Sequence, residues 1–499
     1  MQQLKIGWSE VSITPDKKMA LNGQFAERIS EYVEKPLYIT AMAVDTGEDH
    51  MVLCSLDLVN LGFNLVEAVR ERLDVPGLDP KKVILAAIHT HTGPNPTSLR
   101  YISRKVGKPI DARTMLKNRL PQGKRYIERV TVTESPDIIT PKEYFAFLTD
   151  RVVTAVTQAW ERREPGSVTN AFGRAAVGMC RRVVYSDGSA KMWGDSNTPT
   201  FERVEGGSDT GIELMYVFGP EKQLKGIVAN LACPAQCVQH RLFVSPDFWG
   251  DVKVRLRRAF GDGLFLLTLC SAAGDQCPVD LVRWVEPESD IHDPNCEHVN
   301  PPKRKADPSM FDLSGMKKVG RRIAQEIIAT YEEGLEEAWE APEIVHTVNT
   351  WKLPLRRVTP AQIGEAREAV DRYLQNTPGD VDYRDAAHLQ KYLGILGRAQ
   401  VQEELDLVEI ESHVVKFGPV AIATNPFELF LDYGNQIKAR SKAEQTFLLQ
   451  LTNGAEGYLP TRLAEQGGHY SAFVSSGQVG HAGGELLVEL TLDKIRELF

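Results

Sequence analysis

The sequence lacks any apolar run long enough to cross a membrane. Its longest, such as Leu264–Leu269 and Val420–Ala423, fall far short of the ~20 residues a spanning helix needs. It lacks a basic excess: 58 Lys and Arg stand against 67 Asp and Glu, a net charge of −9. A duplex-binding protein advertises the opposite balance, so no nucleic-acid partner is expected. It lacks an even set of cysteines. The seven present are scattered, which argues against a disulfide framework and for a reducing compartment. The opening MQQLKIGWSEVSITP has a single lysine and no apolar stretch, so a cytoplasmic protein without a membrane partner is expected. There is no GxSxG, which removes the nucleophile elbow of the serine hydrolases. No internal repeat and no low-complexity tract is visible.

What remains is an ordinary globular composition, 42% apolar and 25% charged, over 499 residues. Short β-like runs alternate with helical patterns. Leu4–Thr14, Tyr38–Val44, Met51–Asp57, Val83–Ile88, Glu213–Phe218, Gly226–Cys233 and Leu264–Cys270 read as strands, as do Leu407–Phe417, Val420–Thr424 and Phe447–Thr452. Helices are expected at Asn64–Leu73, Glu143–Arg163, Phe248–Phe260, Leu313–Glu333, Pro360–Gln375, Tyr383–Leu405 and from Phe427 to about Arg440, with a last one at the C-terminus. Thr140-Pro141 supplies an N-cap and a first-turn proline for the second of these. The alternation predicts an α/β fold with mixed, largely parallel sheets and flanking helices, built as one catalytic unit over residues 1–499. Residues 100–139, rich in Lys and Arg, read as a surface insertion, and residues 284–308 as a polar, Pro-rich excursion.

Five segments carry candidate chemistry. HTHTGP follows the VILAAI strand, and residues i and i+2 of an extended loop point the same way, so His89 and His91 can face one site. Cys233 ends a second apolar strand in NLACP. There it is a ligand, a nucleophile or a small core residue. Ser271 opens the small-residue turn SAAGDQCP. Glu428 in NPFELF is placed at a helix start, where taken alone it is a favourable dipole acid. Tyr458 and Tyr470 sit in glycine-rich loops and taken alone are anchoring tyrosines. A separate group, His292, Cys296 and His298, has irregular spacing and reads as a surface loop rather than a metal site.

Together these pieces resemble the neutral, non-lysosomal ceramidases. HTHTGP resembles their HTHSGP, the opening GWSEVSITP resembles their start, and SAAGDQCP resembles their S-x-x-G-D-x-S-P segment. The spacing between Tyr458 and Tyr470 matches two tyrosines of that family. The chain looks like a short form without the family's C-terminal β-sandwich. The resemblance implies a zinc-dependent amidase, with His89, Glu428 and Tyr458 as ligands. It implies that His91, Arg181 and Tyr470 hold the substrate or polarise its carbonyl. Ser271 takes the place of a serine sometimes proposed as nucleophile. One departure is specific: counted back from Asp247, the family's second zinc histidine falls on Cys233, with His240 as a nearby alternative. Thiolate is a good zinc ligand, so a His/Cys/Glu/Tyr zinc site is expected. The expected function is a metal-dependent hydrolase of an amide or ester in a small polar substrate, carbohydrate-derived ones included. The alternatives are a carbohydrate lactone or ester hydrolase or a lyase in the same pocket, or a metal-free binding protein. The partner expected is a small-molecule substrate, with a homo-oligomer left open.

Overall fold

The structure is a computed structural model and describes residues 3–24, 27–94, 96, 112–128, 135–284 and 306–499. Three of its sheets carry the architecture, and each is built the same way. In the first, β1 (Lys5–Ser12), β2 (Tyr38–Asp45) and β3 (His50–Leu56) pair antiparallel. A crossover helix α1 (Phe63–Arg72) then returns the chain to β4 (Val83–Ala87), parallel to β3. A second helix, α2 (Pro141–Glu161), closes the unit. The second unit repeats this with β5 (Ser167–Arg174), β6 (Gly211–Phe218), β7 (Leu224–Leu231), α3 (Phe248–Phe260), β8 (Phe265–Cys270) and α4 (Asp312–Glu332). The third does so with β9 (Ile344–Pro354), β10 (Leu407–Phe417), β11 (Val420–Thr424), α5 (Leu431–Arg440), β12 (Gln445–Leu449) and α6 (His481–Leu498). A sequence without a visible repeat thus folds as three copies of one topology.

The fold is mixed α/β, as expected, but the sheets are not largely parallel. Short connections such as Thr46–Asp49 and Gly418–Pro419 force the central strands antiparallel. Within these three sheets the strand reached through a crossover helix pairs parallel, one per unit, and the others antiparallel.

Each strand alternates between two cores, as the pleat requires. The outward sides carry Val52, Cys54 and Leu56 in the first unit, packed under α1 and α2 through Val69, Leu148 and Val152. α3 and α4 cover the second sheet through Val252, Leu256, Val319 and Ile323. α5 and α6 cover the third through Tyr433, Ile437, Val488 and Leu492. The inward sides meet in one shared core, with Met42, Leu53 and Ile84 against Met215, Val228 and Leu267 and against Val415, Ile422 and Phe447.

Polar side chains tie that core in a cycle. The Ser55 hydroxyl donates to the Thr268 carbonyl (2.5 Å), Asn230 Nδ2 donates to the Leu448 carbonyl (3.1 Å), and Asn453 Oδ1 accepts from the Leu85 N–H (2.8 Å). Each of these bonds runs to the neighbouring sheet, which fixes the three sheets relative to one another.

α2 begins as predicted. Thr140 and Glu143 form a reciprocal capping box with Pro141 in the first turn, worth about 0.5–2 kcal/mol. The long helix expected at Tyr383–Leu405 is two helices, Tyr383–His388 and Gln390–Glu404, broken at Leu389. With Pro360–Asn376 they form a helical insertion between β9 and β10. Of the expected 100–139 insertion, the described part docks there. Ala112–Lys117 is a helix whose Met115 and Leu116 join the Val370, Leu374 and Leu393 cluster, and Arg119 pairs with Asp371. His292, Cys296 and His298, with most of the 284–308 excursion, lie outside the described residues.

No helix of the described residues is long and apolar enough to cross a membrane.

Candidate active site

The loops that follow the parallel edge strands gather at one end of the molecule. The chain leaving β4 shows why HTHT alternates as it does. Thr90 and Thr92 both donate to the Ser245 carbonyl (2.8 Å each), so the intervening His89 and His91 face the other way. His89 adopts a left-handed backbone (φ 67°), a strain of about 1–3 kcal/mol. The turn is held by its N–H on the Leu58 carbonyl (2.9 Å) and its Nδ1 on the Val59 carbonyl (2.7 Å). A carbonyl only accepts, so Nδ1 carries the proton and Nε2 presents a lone pair.

Six side chains then close a ring. His89 Nε2 lies 3.5 Å from Glu428 Oε2 and 3.3 Å from His91 Nε2. Gln236 Nε2 lies 2.7 Å from His91 Nε2. Arg181 donates through Nη1 to Gln236 Oε1 (3.1 Å) and through Nη2 to the Tyr458 hydroxyl (3.5 Å). Tyr458 hydrogen-bonds Glu428, completing the circuit. The first unit supplies both histidines, the second Arg181 and Gln236, and the third Glu428 and Tyr458. At the rim, the Tyr470 ring lies 6.4 Å from that of Tyr458, and its hydroxyl accepts from Trp193 Nε1 (2.9 Å). The Arg181 guanidinium stacks 5.5 Å over Trp193.

The SAAGDQ turn sets the distances across this ring. Gly274 passes so close to the third unit that a Cβ there would lie 2.4 Å from the Glu428 carbonyl. Its N–H donates to the Leu429 carbonyl (2.8 Å) and its carbonyl accepts from Arg181 Nη2 (3.0 Å). Asp275 accepts from the Leu431 N–H (2.9 Å), and its carbonyl accepts from the Arg181 N–H (2.8 Å). The turn therefore positions Glu428 and Arg181 together. Ser271, at the end of β8, is buried, and its N–H donates to the Leu231 carbonyl (2.9 Å). Glu428 is not in the first turn of a helix. It pairs with Tyr458 in a short parallel bridge, Glu428–Leu429 with Tyr458–Leu459, and the helix starts at Leu431. This pairing brings Glu428 and Tyr458 side by side.

Burial governs the electrostatics. It lowers His89 below its ordinary value, with Glu428 pulling the other way. It lowers His91 well below, helped by His89, Arg28 and Arg181. It raises Tyr458 well above, reinforced by Glu428 and opposed by Arg181. Burial also opposes the Arg181 charge, but Tyr458, Tyr470, Cys277 and Glu428 together outweigh it and the guanidinium stays a cation. The site thus holds neutral imidazoles and phenols around one carboxylate and one guanidinium.

Cys233 does not join them. Its thiol points to the Val177 carbonyl (3.4 Å) inside the apolar core of the second unit, and burial raises it well above an ordinary thiol. His240 faces Asp312 (3.5 Å) and stacks on Phe311, in contact with the α4 terminus instead. Among the described residues no group of three or more His, Cys, Asp or Glu is arranged to hold a metal ion. Of the four expected zinc donors, His89, Glu428 and Tyr458 come together, while the Cys233 thiol turns to the Val177 carbonyl. The physical reason is that Cys233 continues the apolar, outward face of β7. Gln236, three residues later, reaches the ring in its place. Sequence reading missed Gln236 and Trp193, neither of which is a conventional catalytic residue type.

This architecture belongs to a fold already seen among ceramidases. The crystal structure of neutral ceramidase from Pseudomonas aeruginosa superposes with a TM-score of 0.65 at 16% identity, over 100% of this chain and 75% of that one. A ceramidase complexed with C2 gives a TM-score of 0.64 at 14% identity, with the same coverage. At these identities the likeness is one of fold. No family model matches the sequence, and no curated protein matches it.

Proposed function

We propose that this protein is an acyl hydrolase of ceramidase type, acting on the amide or ester bond of a small polar substrate. The observation that carries the reading is the closed ring of His89, His91, Gln236, Arg181, Tyr458 and Glu428. It sets a carboxylate and imidazole lone pairs opposite a guanidinium and a phenol. The end-to-end fold likeness to two ceramidases supports it.

Each side chain has a task in such a reaction. Glu428 and the Nε2 lone pair of His89 accept hydrogen bonds from a water. Glu428 takes its proton as the oxygen attacks the carbonyl carbon. The Tyr458 hydroxyl, held by Arg181, donates to the carbonyl oxygen as it gains charge, and Tyr470 walls the opening. On collapse, the proton held by Glu428 passes to the departing nitrogen or oxygen. The zinc implied by the sequence resemblance has no four-donor site here, and the reading rests on these side chains alone.

The test is turnover of a panel of N-acyl and O-acyl compounds by purified protein, with Glu428→Gln as the control. We expect Glu428→Gln to lower kcat by about 10²–10⁴-fold with the circular dichroism spectrum unchanged. Full activity in that variant, or an inert wild type that still binds the panel, overturns the hydrolase reading in favour of a binding protein.

A further inference from the structure

The arginines near the ring are treated differently from those elsewhere in the molecule. Arg182 pairs with both oxygens of Glu205, Arg241 with both of Asp312, and Arg70 with both of Glu411. Arg398, without a carboxylate, is satisfied by the carbonyls of Arg356, Val474, Gly477 and Gln478. Arg181 has neither outcome, and Arg28, though bonded to carbonyls, keeps a buried Nε open. Among the described residues, no carboxylate lies within ion-pair distance of either. Arg181 has only neutral partners, Gln236, the Gly274 carbonyl and Tyr458, and its Nε is buried without a partner. Arg28 donates to the carbonyls of Asn22, His91 (2.6 Å) and Arg241, and its Nε is likewise unmatched.

His91 lies between them, and its tautomer follows from the ring. A guanidinium only donates, so Arg181 fixes Oε1 of Gln236 towards itself and Nε2 towards His91. His91 Nε2 is then an acceptor and the proton sits on Nδ1, which is buried and also without a partner. His91 is 7% exposed and Arg181 2%. Three buried donors on adjoining side chains are left open. Buried donors and charges left in this state are matched when a ligand arrives.

We infer that the substrate carries a carboxylate, bound by Arg181, with the Nδ1–H of neutral His91 as a further donor and Arg28 adding positive charge, so that the site selects anionic acyl compounds over neutral ones. The inference deepens the hydrolase reading and names its substrate class. Planar, forked recognition is what a guanidinium offers a carboxylate.

The experiment is calorimetric titration of the full chain with N-acetylglycine, its neutral analogue N-acetylglycinamide, and inorganic phosphate. We expect N-acetylglycine to bind about tenfold or more tightly than the amide, and more tightly than phosphate. Arg181→Gln should remove the preference, and Arg181→Lys should keep part of it. Equal affinity for the two glycine compounds in wild-type protein overturns the inference, and that measurement needs no variant to fold. Stronger binding of phosphate overturns the assignment to a carboxylate. Anion-selective binding without turnover of any acyl compound sinks the hydrolase reading and leaves this inference standing. Turnover with no charge preference does the reverse.

Discussion

Two buried histidine pairs occur among the described residues, and they are built to opposite ends. His346 and His413 lie on β9 and β10, in regular strands. Their rings meet at 2.8 Å, Nε2 to Nδ1. His346 Nδ1 reaches the His50 carbonyl (3.1 Å), and His413 Nε2 meets Asn453 Nδ2 (2.8 Å) and Glu411 (3.0 Å). Glu411 is gripped in turn by Arg70 through two bonds of 2.8 Å. Every partner is supplied from within, and the cluster joins the first unit to the third. His89 and His91 lie instead on a strained turn, meet lone pair to lone pair, and leave a donor open. A polar network that closes on itself rigidifies a core, and one that does not close is ready for something from outside.

That contrast predicts where each pair will fail. The largest effect should come from Glu411→Ala, which strands Arg70 and His413. We expect about 3 kcal/mol or more of lost stability in urea unfolding. A loss below about 1 kcal/mol would show that the closed network is not a structural tie. The same cluster gives a pH dependence with a definite sign. Burial dominates both histidines and lowers them, so the unfolded chain binds protons first as pH falls through about 6.5. For Glu411, burial alone would raise the carboxyl, but the bonds from His413 and Arg70 outweigh it and hold it well below 4.5. Its contribution is present above the unfolded carboxylate value and is lost as pH falls towards the folded one. The histidines make the melting temperature drop from about pH 6.5 downwards, and Glu411 adds to the drop below about pH 4.5. A melting temperature that rises over that interval would contradict the assignment.

A smaller effect is expected at Cys233. Cys233→Ser puts a hydroxyl in an apolar core and should cost about 1–3 kcal/mol, with kcat unchanged once the protein is folded. Abolished activity in folded Cys233→Ser would restore the thiolate ligand. The smallest effect is expected at Ser271. Ser271→Ala keeps the backbone that positions Gly274 and Asp275, so activity should stay within a few-fold. A loss of about 10³ or more would make the hydroxyl a nucleophile.

Much of the fold was legible in the residues. The inner strands of each unit are short apolar runs, and β3, β4, β7, β8, β10 and β11 all fall where periodicity places them. β5 and β9 were not found. Their sequences, SVTNAFGR and IVHTVNTWKLP, interleave polar residues because the strands sit at sheet edges. The threefold plan was invisible because the matching strand ends, AAIHTHTG, TLCSAAGD and LQLTNGAE, share topology and not side chains. The motif segments were legible, and the structure brings His89, His91, Arg181, Glu428 and Tyr458 together. Gln236 and Arg28 escaped because nothing in their neighbourhoods marks an amide or a guanidinium as facing a histidine. Only the folded chain shows what lies across the gap.

The cyclic ties between the sheets have a consequence for how activity decays. Ser55, Asn230 and Asn453 each lock one unit to the next, and every unit contributes side chains to the same ring. A chain with two units formed and the third open holds an incomplete ring, whichever unit is open. On the proposed hydrolase reading, turnover would therefore behave as a coincidence detector. On heating, the clock for lost turnover should run with the clock for the first inter-sheet seam to part, ahead of any loss of helix.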